Sequence, residues 1–254
     1  MTAPVLETFG LSVQFGGLHA VDGVDLVVEP GRLVGLIGPN GAGKTTFIDA
    51  ITGFAPSRGR VEVGGRDISS LVPDSRARAG LGRTWQSLEL FDDLTVRENL
   101  EVAADAGGAR NVVADLFRPR RPRARDAVDD AIERLGLGLI ADRLPTELSQ
   151  GQRKLVGVAR ALAGSPRIVC MDEPAGGLDS GESEELGRRL RETVDGGVAV
   201  LLVDHDMGLV LAVCDEVYVL EFGRVIARGT PDAIRDDPQV IAAYLGQGSP
   251  GARP

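Results

Sequence analysis

Nine consecutive residues, Gly38-Pro39-Asn40-Gly41-Ala42-Gly43-Lys44-Thr45-Thr46, limit what this chain can fold into more than any other stretch. They satisfy the pattern G-x-x-x-x-G-K-[ST] in full. Before them lies the unbroken apolar run Leu33-Val34-Gly35-Leu36-Ile37, of the kind shown by a strand buried on both faces. After them comes a helix-like segment from Thr45 to Ala50, closed by Gly53. Strand, glycine turn and helix in that order make a cradle for phosphate. Gly38, Gly41 and Gly43 let the backbone wrap tightly enough for successive N–H groups to converge on anionic oxygens. The helix adds the positive end of its dipole. Lys44 supplies a point charge for the β- and γ-phosphates, and the Thr45 hydroxyl a ligand for Mg²⁺. Pro39, Asn40, Ala42 and Thr46 complete the nucleotide-binding loop.

The rest of the chain is expected to build a sheet around that cradle. Leu11–Phe15 and Val24–Val28 alternate like strands, and Arg60–Val63 with Arg66–Ile68 looks like a hairpin across Gly64-Gly65. From Ser149 the pattern is α/β. Ser149 and Gln152 form a capping box for a helix over Gln150–Ala163, with Leu155, Val158, Ala159 and Leu162 on one apolar face. Gly164 and Pro166 stop it. The strand Ile168–Met171, a helix near Ser183–Val194 and the strand Val198–Val203 come next. Strand signals vanish from about residue 88 to 147. The expected fold is therefore α/β, with a mostly parallel sheet core, an N-terminal β region and an inserted α-helical subdomain. One domain spans residues 1–254, with 1–87 and 148–254 as core and 88–147 as the helical part. Arg118–Arg125 reads as a solvated loop whose prolines bar regular structure.

Two carboxylates come directly after the apolar strand at Ile168. A strand ending in Asp172-Glu173 delivers both to the carboxyl edge of the sheet, where open α/β sheets bind ligands. Asp172 is expected to hold the Mg²⁺ shell and Glu173 to polarise an attacking water. His205 comes just after the strand Val198–Val203; these residues alone leave open whether it donates to a γ-phosphate or serves structure. His19 is read as structural, and Cys170 and Cys214 as small core residues.

Composition narrows the setting. The longest apolar run, Val198–Val203, is strand-sized, so no segment is expected to span a bilayer. The N-terminus has neither a basic n-region nor an apolar h-region, so no signal peptide is expected. Two cysteines make no disulfide framework and fit a reducing compartment. A net charge of −9 argues against nucleic acid as a partner.

Leu148-Ser149-Gln150-Gly151-Gln152 resembles the signature motif of ABC-type ATPases, a family of P-loop NTPases, and the other family elements fall in order. Phe15 is similar to the aromatic that stacks on adenine. Gln86, in Arg83-Thr84-Trp85-Gln86, is similar to the glutamine that joins core to helical lobe, with a catalytic and Mg²⁺-binding role. Gly177-Leu178-Asp179 is similar to the loop that crosses the dimer interface, and His205 to the switch histidine.

The resemblance implies ATP and Mg²⁺ as cofactors and a head-to-tail pair of subunits, the second being a copy or a related paralogue. Phe15, Lys44, Thr45, Gln86, Asp172, Glu173 and His205 of one subunit would meet Ser149 and Gly151 of the other, and Gln152 and Asp179 are implied as further nucleotide-binding residues. Because Ser149 opens a helix, its hydroxyl and the N–H groups behind it would form a second anion site for the γ-phosphate. Hydrolysis would be passed through Gln86 and the helical lobe to membrane permease subunits at the cytoplasmic face.

Phe15–Val21, Arg83–Gln86, Glu98–Leu100, Asp204–Met207 and the tail Gly229-Thr230-Pro231 to Tyr244-Leu245-Gly246 are similar to ATP-binding subunits of branched-chain amino-acid importers. The likeness is to the longer of their two ATPase subunits, which implies an indirect partner in a solute-binding protein. Gln150 departs from the commoner glycine and Trp85 from the commoner phenylalanine. Importers of urea or short amides share this ATPase type. The ATPase of lipopolysaccharide export shares the tail pattern, although Phe15–Val21 and the lobe length favour import. A non-transport ATPase is disfavoured by the single cassette and the lack of heptads, and a non-catalytic regulator by the presence of Glu173 and His205.

Overall fold

The computed structural model describes residues 3–84, 90–104 and 122–245. The chain runs through β1 (Leu6–Phe15), β2 (Leu18–Val28), β3 (Leu33–Ile37), α1 (Lys44–Thr52), β4 (Arg58–Val63), β5 (Arg66–Asp67), α2 (Pro73–Arg78) and β6 (Leu81–Arg83). Next come α3 (Val96–Ala104) and α4 (Pro122–Arg134), then α5 (Gln150–Ala163), β7 (Ile168–Asp172), α6 (Ser180–Asp195) and β8 (Ala199–Val203). It closes with α7 (Met207–Val213), β9 (Glu216–Glu221), β10 (Arg224–Gly229), α8 (Pro231–Arg235) and α9 (Pro238–Leu245).

Two sheets result. An antiparallel one has the order β2-β1-β4-β5, and a larger one the order β10-β9-β3-β8-β7-β6. The larger sheet is parallel except where β10 pairs antiparallel with β9. All five residues of β3, of β7 and of β8 are buried, because both faces of the sheet are covered. Alternation sorts them. Val169, Met171, Val200 and Leu202 pack into a core with the helices α5, α6 and α7. Ile168, Cys170, Leu201 and Val203 pack the other way, against α1 and the antiparallel sheet. The α/β architecture with a mostly parallel core and an antiparallel β region is thus as the sequence pattern indicates.

Register places the functional edge. Leu36 of β3 and Asp172 of β7 both pair with Val203 of β8, so the three strands end within one residue of one another and hand their next residues to one edge of the sheet.

Two local expectations need correction. Pro122–Arg125 do not lie in a loop: they open α4, since proline in the first turn lacks only an N–H that would have no partner there. Residues 118–121 of that basic run, and Gln86, lie outside the described residues. In α5, Val156 takes a fully buried position and Leu155 packs only partly, so the inward face is turned relative to the periodicity.

The C-terminus of α1 is held by a buried cation. Arg76 of α2 donates to the carbonyls of Ala50 and Ile51 at 2.8 Å each, of Ser69 at 2.7 Å and of Leu71 at 2.9 Å. Burial lowers its pKa, which Asp67 partly opposes. A positive group there also answers the negative end of the α1 dipole. Arg76→Met strands these acceptors and is expected to cost about 3 kcal/mol in urea unfolding, from roughly 1–3 kcal/mol per stranded buried group. An unchanged midpoint would show that water replaces the guanidinium at no cost.

Candidate functional site

The turn after β3 has a shape that only glycine allows at two points. Gly38 has φ 151° and Gly43 φ 106°. A Cβ on Gly38 would lie 2.0 Å from the Leu220 carbonyl oxygen, and one on Gly43 2.2 Å from that of Ala20. The loop is therefore wedged between β9 and β2. Gly43 caps α1 in the left-handed conformation, and the cap makes no side-chain hydrogen bond to the first-turn N–H groups. Lys44 is 7% exposed and folds back on its own loop, Nζ donating to the carbonyls of Gly38 at 2.6 Å and Pro39 at 3.0 Å. Burial lowers its pKa, and the charges of Glu173, Asp172 and Asp204 oppose the shift.

A cleft of about 430 Å³ opens over this loop. Asn40, Gly41, Gly43, Lys44, Thr45 and Thr46 line it together with Phe15 and Glu173. Leu18, His19, Ala20 and Phe222 line it as well. Phe15 is half-exposed. His19, read from sequence as structural, is exposed on the cleft instead. Phe222 is 83% exposed with φ 46°, a strained setting for an aromatic. Pro39 and Ala42 line a neighbouring cavity of about 180 Å³, against Ala242 and Ala243 of α9.

Asp172, on the face of β7 toward α1, is 2% exposed. Its Oδ1 lies 3.5 Å from the Thr45 hydroxyl, while among the described residues no hydrogen-bond donor reaches its Oδ2. Burial raises its pKa, with Arg83, at 3.9 Å, opposing and Glu173 adding to the rise. A buried carboxylate oxygen without a donor, beside a threonine hydroxyl, is a donor set suited to a hard cation, and Mg²⁺ needs few protein ligands when phosphates and water complete its shell.

Glu173 breaks the strand. Its φ is 51°, a conformation costing about 1–3 kcal/mol in a non-glycine residue, and its N–H bonds the Val203 carbonyl at 2.7 Å. That twist carries the side chain away from Asp172 to the cleft wall. His205 Nδ1 stands 3.7 Å from Glu173 Oε2 and 3.6 Å from Asp204 Oδ1. Asp204, which sequence reasoning misses, is wholly buried and ties two loops together: it accepts from the N–H groups of Ala175 and Asp206, both at 3.0 Å. Lys154 of α5 is missed as well; its Nζ reaches the Glu173 carbonyl at 3.4 Å.

Ser149, Gly151, Gln152 and Asp179 gather elsewhere, and none of the four lines the cleft over Lys44. Ser149 caps α5, Oγ accepting from Gln152 N–H at 3.2 Å while Gln152 Oε1 accepts from Ser149 N–H at 3.0 Å. Asp179 caps α6, accepting from Glu182 N–H at 2.8 Å. Both cysteines are buried; burial pushes the Cys170 thiol up to about 12 and the Cys214 thiol up as well.

Comparison with known proteins identifies the family. A family model described as ABC transporter matches residues 21–176, and one described as branched-chain amino acid ATP-binding cassette transporter matches residues 224–249. The chain is 41% identical over 254 residues to the high-affinity branched-chain amino acid transport ATP-binding protein BraF of Pseudomonas aeruginosa, covering 97% of this chain and 100% of that protein. It is 34% identical over 244 residues to the lipopolysaccharide export system ATP-binding protein LptB of Haemophilus influenzae, covering 96% and 98%. The solved ADP conformation of MJ1267, an ATP-binding cassette of an ABC transporter, superposes with a TM-score of 0.86 at 32% identity, covering 97% of this chain and 100% of that one. The chain belongs to the ABC transporter family, whose cassettes bind and hydrolyse ATP, and within it to the branched-chain amino acid group.

Proposed function

We propose that the protein is the ATP-hydrolysing subunit of an importer for branched-chain amino acids or related small amino acids and amides, docked on permease subunits at the cytoplasmic face of a membrane. The observation that carries the mechanism is the split of the site. The cradle and Glu173 share one cleft, with Asp172 buried beside the Thr45 hydroxyl, while the Ser149–Gly151 donors lie outside it on the same chain. Each chain thus bears both halves of a nucleotide site without joining them, and two copies placed head to tail complete two sites. The cargo reading rests on the tail match and on 41% identity to a branched-chain amino acid relative against 34% to the export one.

Each residue then has a task. Phe15 stacks on the base. The loop N–H groups and the start of α1 bind the phosphates. Lys44 exchanges two carbonyls for β- and γ-oxygens. Thr45 and Asp172, with Gln86 as a further contact, would hold Mg²⁺, which when bound would supply positive charge against the charge developing on the phosphates. Glu173 accepts a proton from the attacking water, and His205 orients Glu173 and donates to the γ-phosphate. Ser149 and Gly151 of the second copy close on that same phosphate, with Gln152 and Asp179 shaping their loop. No helix among the described residues is long and apolar enough to cross a membrane.

Three variants test the assignment. Lys44→Ala is expected to weaken ATP binding by calorimetry about 10- to 100-fold, the worth of charged hydrogen bonds; unaltered affinity would remove the loop from the site. Glu173→Gln should lower hydrolysis about 10²- to 10⁴-fold while ATP still binds, and a normal rate would remove Glu173 from the chemistry. Ser149→Arg should abolish hydrolysis with ATP affinity of the single subunit intact, whereas full activity would mean that the cleft works alone.

A further inference from the structure

We propose that Glu182 holds the place of the γ-phosphate on the Ser149–Gly151 loop and has to withdraw before two copies can close on ATP. This rests on the composite-site reading of the proposed function. Glu182 Oε1 receives two donors, the Ser149 hydroxyl at 3.3 Å and the Gly151 N–H at 3.2 Å. Those are the groups assigned to the γ-phosphate of the opposite copy.

Donor capacity makes the two uses exclusive. A serine hydroxyl has one hydrogen and a backbone amide has one. Ser149 Oγ accepts from Gln152 N–H, so its single hydrogen is the one directed at Glu182. Neither donor can serve a phosphate oxygen while it serves the carboxylate, and two anions at one donor pair repel each other. The fit is close: a Cβ on Gly151 would stand 2.7 Å from Glu182 Oε1, so the loop wraps the carboxylate oxygen at glycine distance.

Withdrawal needs little rearrangement. The Glu182 backbone is fixed independently, its N–H capped by Asp179 at 2.8 Å in the first turn of α6. Side-chain torsions alone can free the donors while the helix cap stays made. Glu182 is therefore a positioning residue. It keeps the loop ordered and its donors satisfied in the single subunit, and it sets the ATP concentration at which closure wins.

The test uses the full chain carrying Glu173→Gln, with dimer fraction measured by sedimentation velocity across an ATP titration. Adding Glu182→Gln, which keeps shape and loses charge, or Glu182→Ala, which removes the acceptor, is expected to lower the ATP midpoint about 3- to 10-fold, since charge-assisted hydrogen bonds are roughly twice as strong as neutral ones. ATP affinity of the single subunit at the Lys44 loop should not move. An unshifted midpoint overturns the role of Glu182 alone. A raised midpoint also overturns it, because the carboxylate would then support the loop in the closed pair. Failure of the Glu173→Gln parent to dimerise with ATP overturns the composite site, and this inference with it.

Discussion

Level strand ends are the constraint on which the site depends. Leu36 and Asp172 pair with the same residue of the central β8, Val203, so β3, β7 and β8 finish within one residue of one another. The segments that leave these three strands must therefore emerge at one edge of the sheet: the glycine loop, the Asp172-Glu173 pair and the Asp204-His205 pair. A slip of one residue in β7 would send Asp172 into the helix-covered core and an apolar residue toward Thr45. The two-sided apolar packing forbids that slip, because every residue of β7 is buried, and its apolar residues belong to one core or the other. Core packing, more than any polar contact, thus places the chemistry.

Within that frame, several polar groups lean on partners from their own chain. Lys44 donates to two loop carbonyls, and Ser149 and Gly151 to a carboxylate three residues beyond Asp179. Each arrangement keeps a donor satisfied, which matters most at the buried Lys44. Each is also a contact that a phosphate oxygen can replace. The exception is Asp172, whose Oδ2 has no hydrogen-bond donor among the described residues. Burial raises its pKa, and the Arg83 guanidinium 3.9 Å from that oxygen opposes the rise. The strained backbone of Glu173 is held from two sides, by the Val203 carbonyl and by Lys154.

Short-range features are legible in the chain. The glycine loop, the capping box at Ser149 and the buried strands at Leu33 and Ile168 are local patterns in which neighbouring residues already determine the conformation. Long-range ones are not. Nothing in the order of residues shows that Glu182 reaches back across to Gly151, or that Asp204 bridges two loops, because both contacts exist only once the sheet has brought distant segments together. A weak hint is present for each: Asp179 and Glu182 stand at capping spacing, and Asp204 immediately precedes the singled-out histidine. His19 misleads for the same reason, since a β-region histidine meets the cleft only after β2 is laid beside the loop. The opening of α4 illustrates the opposite error. Proline reads as a barrier in the sequence, whereas its position in the first turn makes it a start.

Whether nucleotide sits between two copies can be read directly by cross-linking. One copy would carry Asn40→Cys on the glycine loop and the other Ser149→Cys. The natural Cys170 and Cys214 are buried thiols with raised pKa and stay silent. Mild oxidation of the mixture with ATP should give a disulfide between unlike copies, confirmed by peptide mass, and none in its absence. No such bond with ATP, or the same yield without it, would mean that the two halves of the site never face each other across a pair.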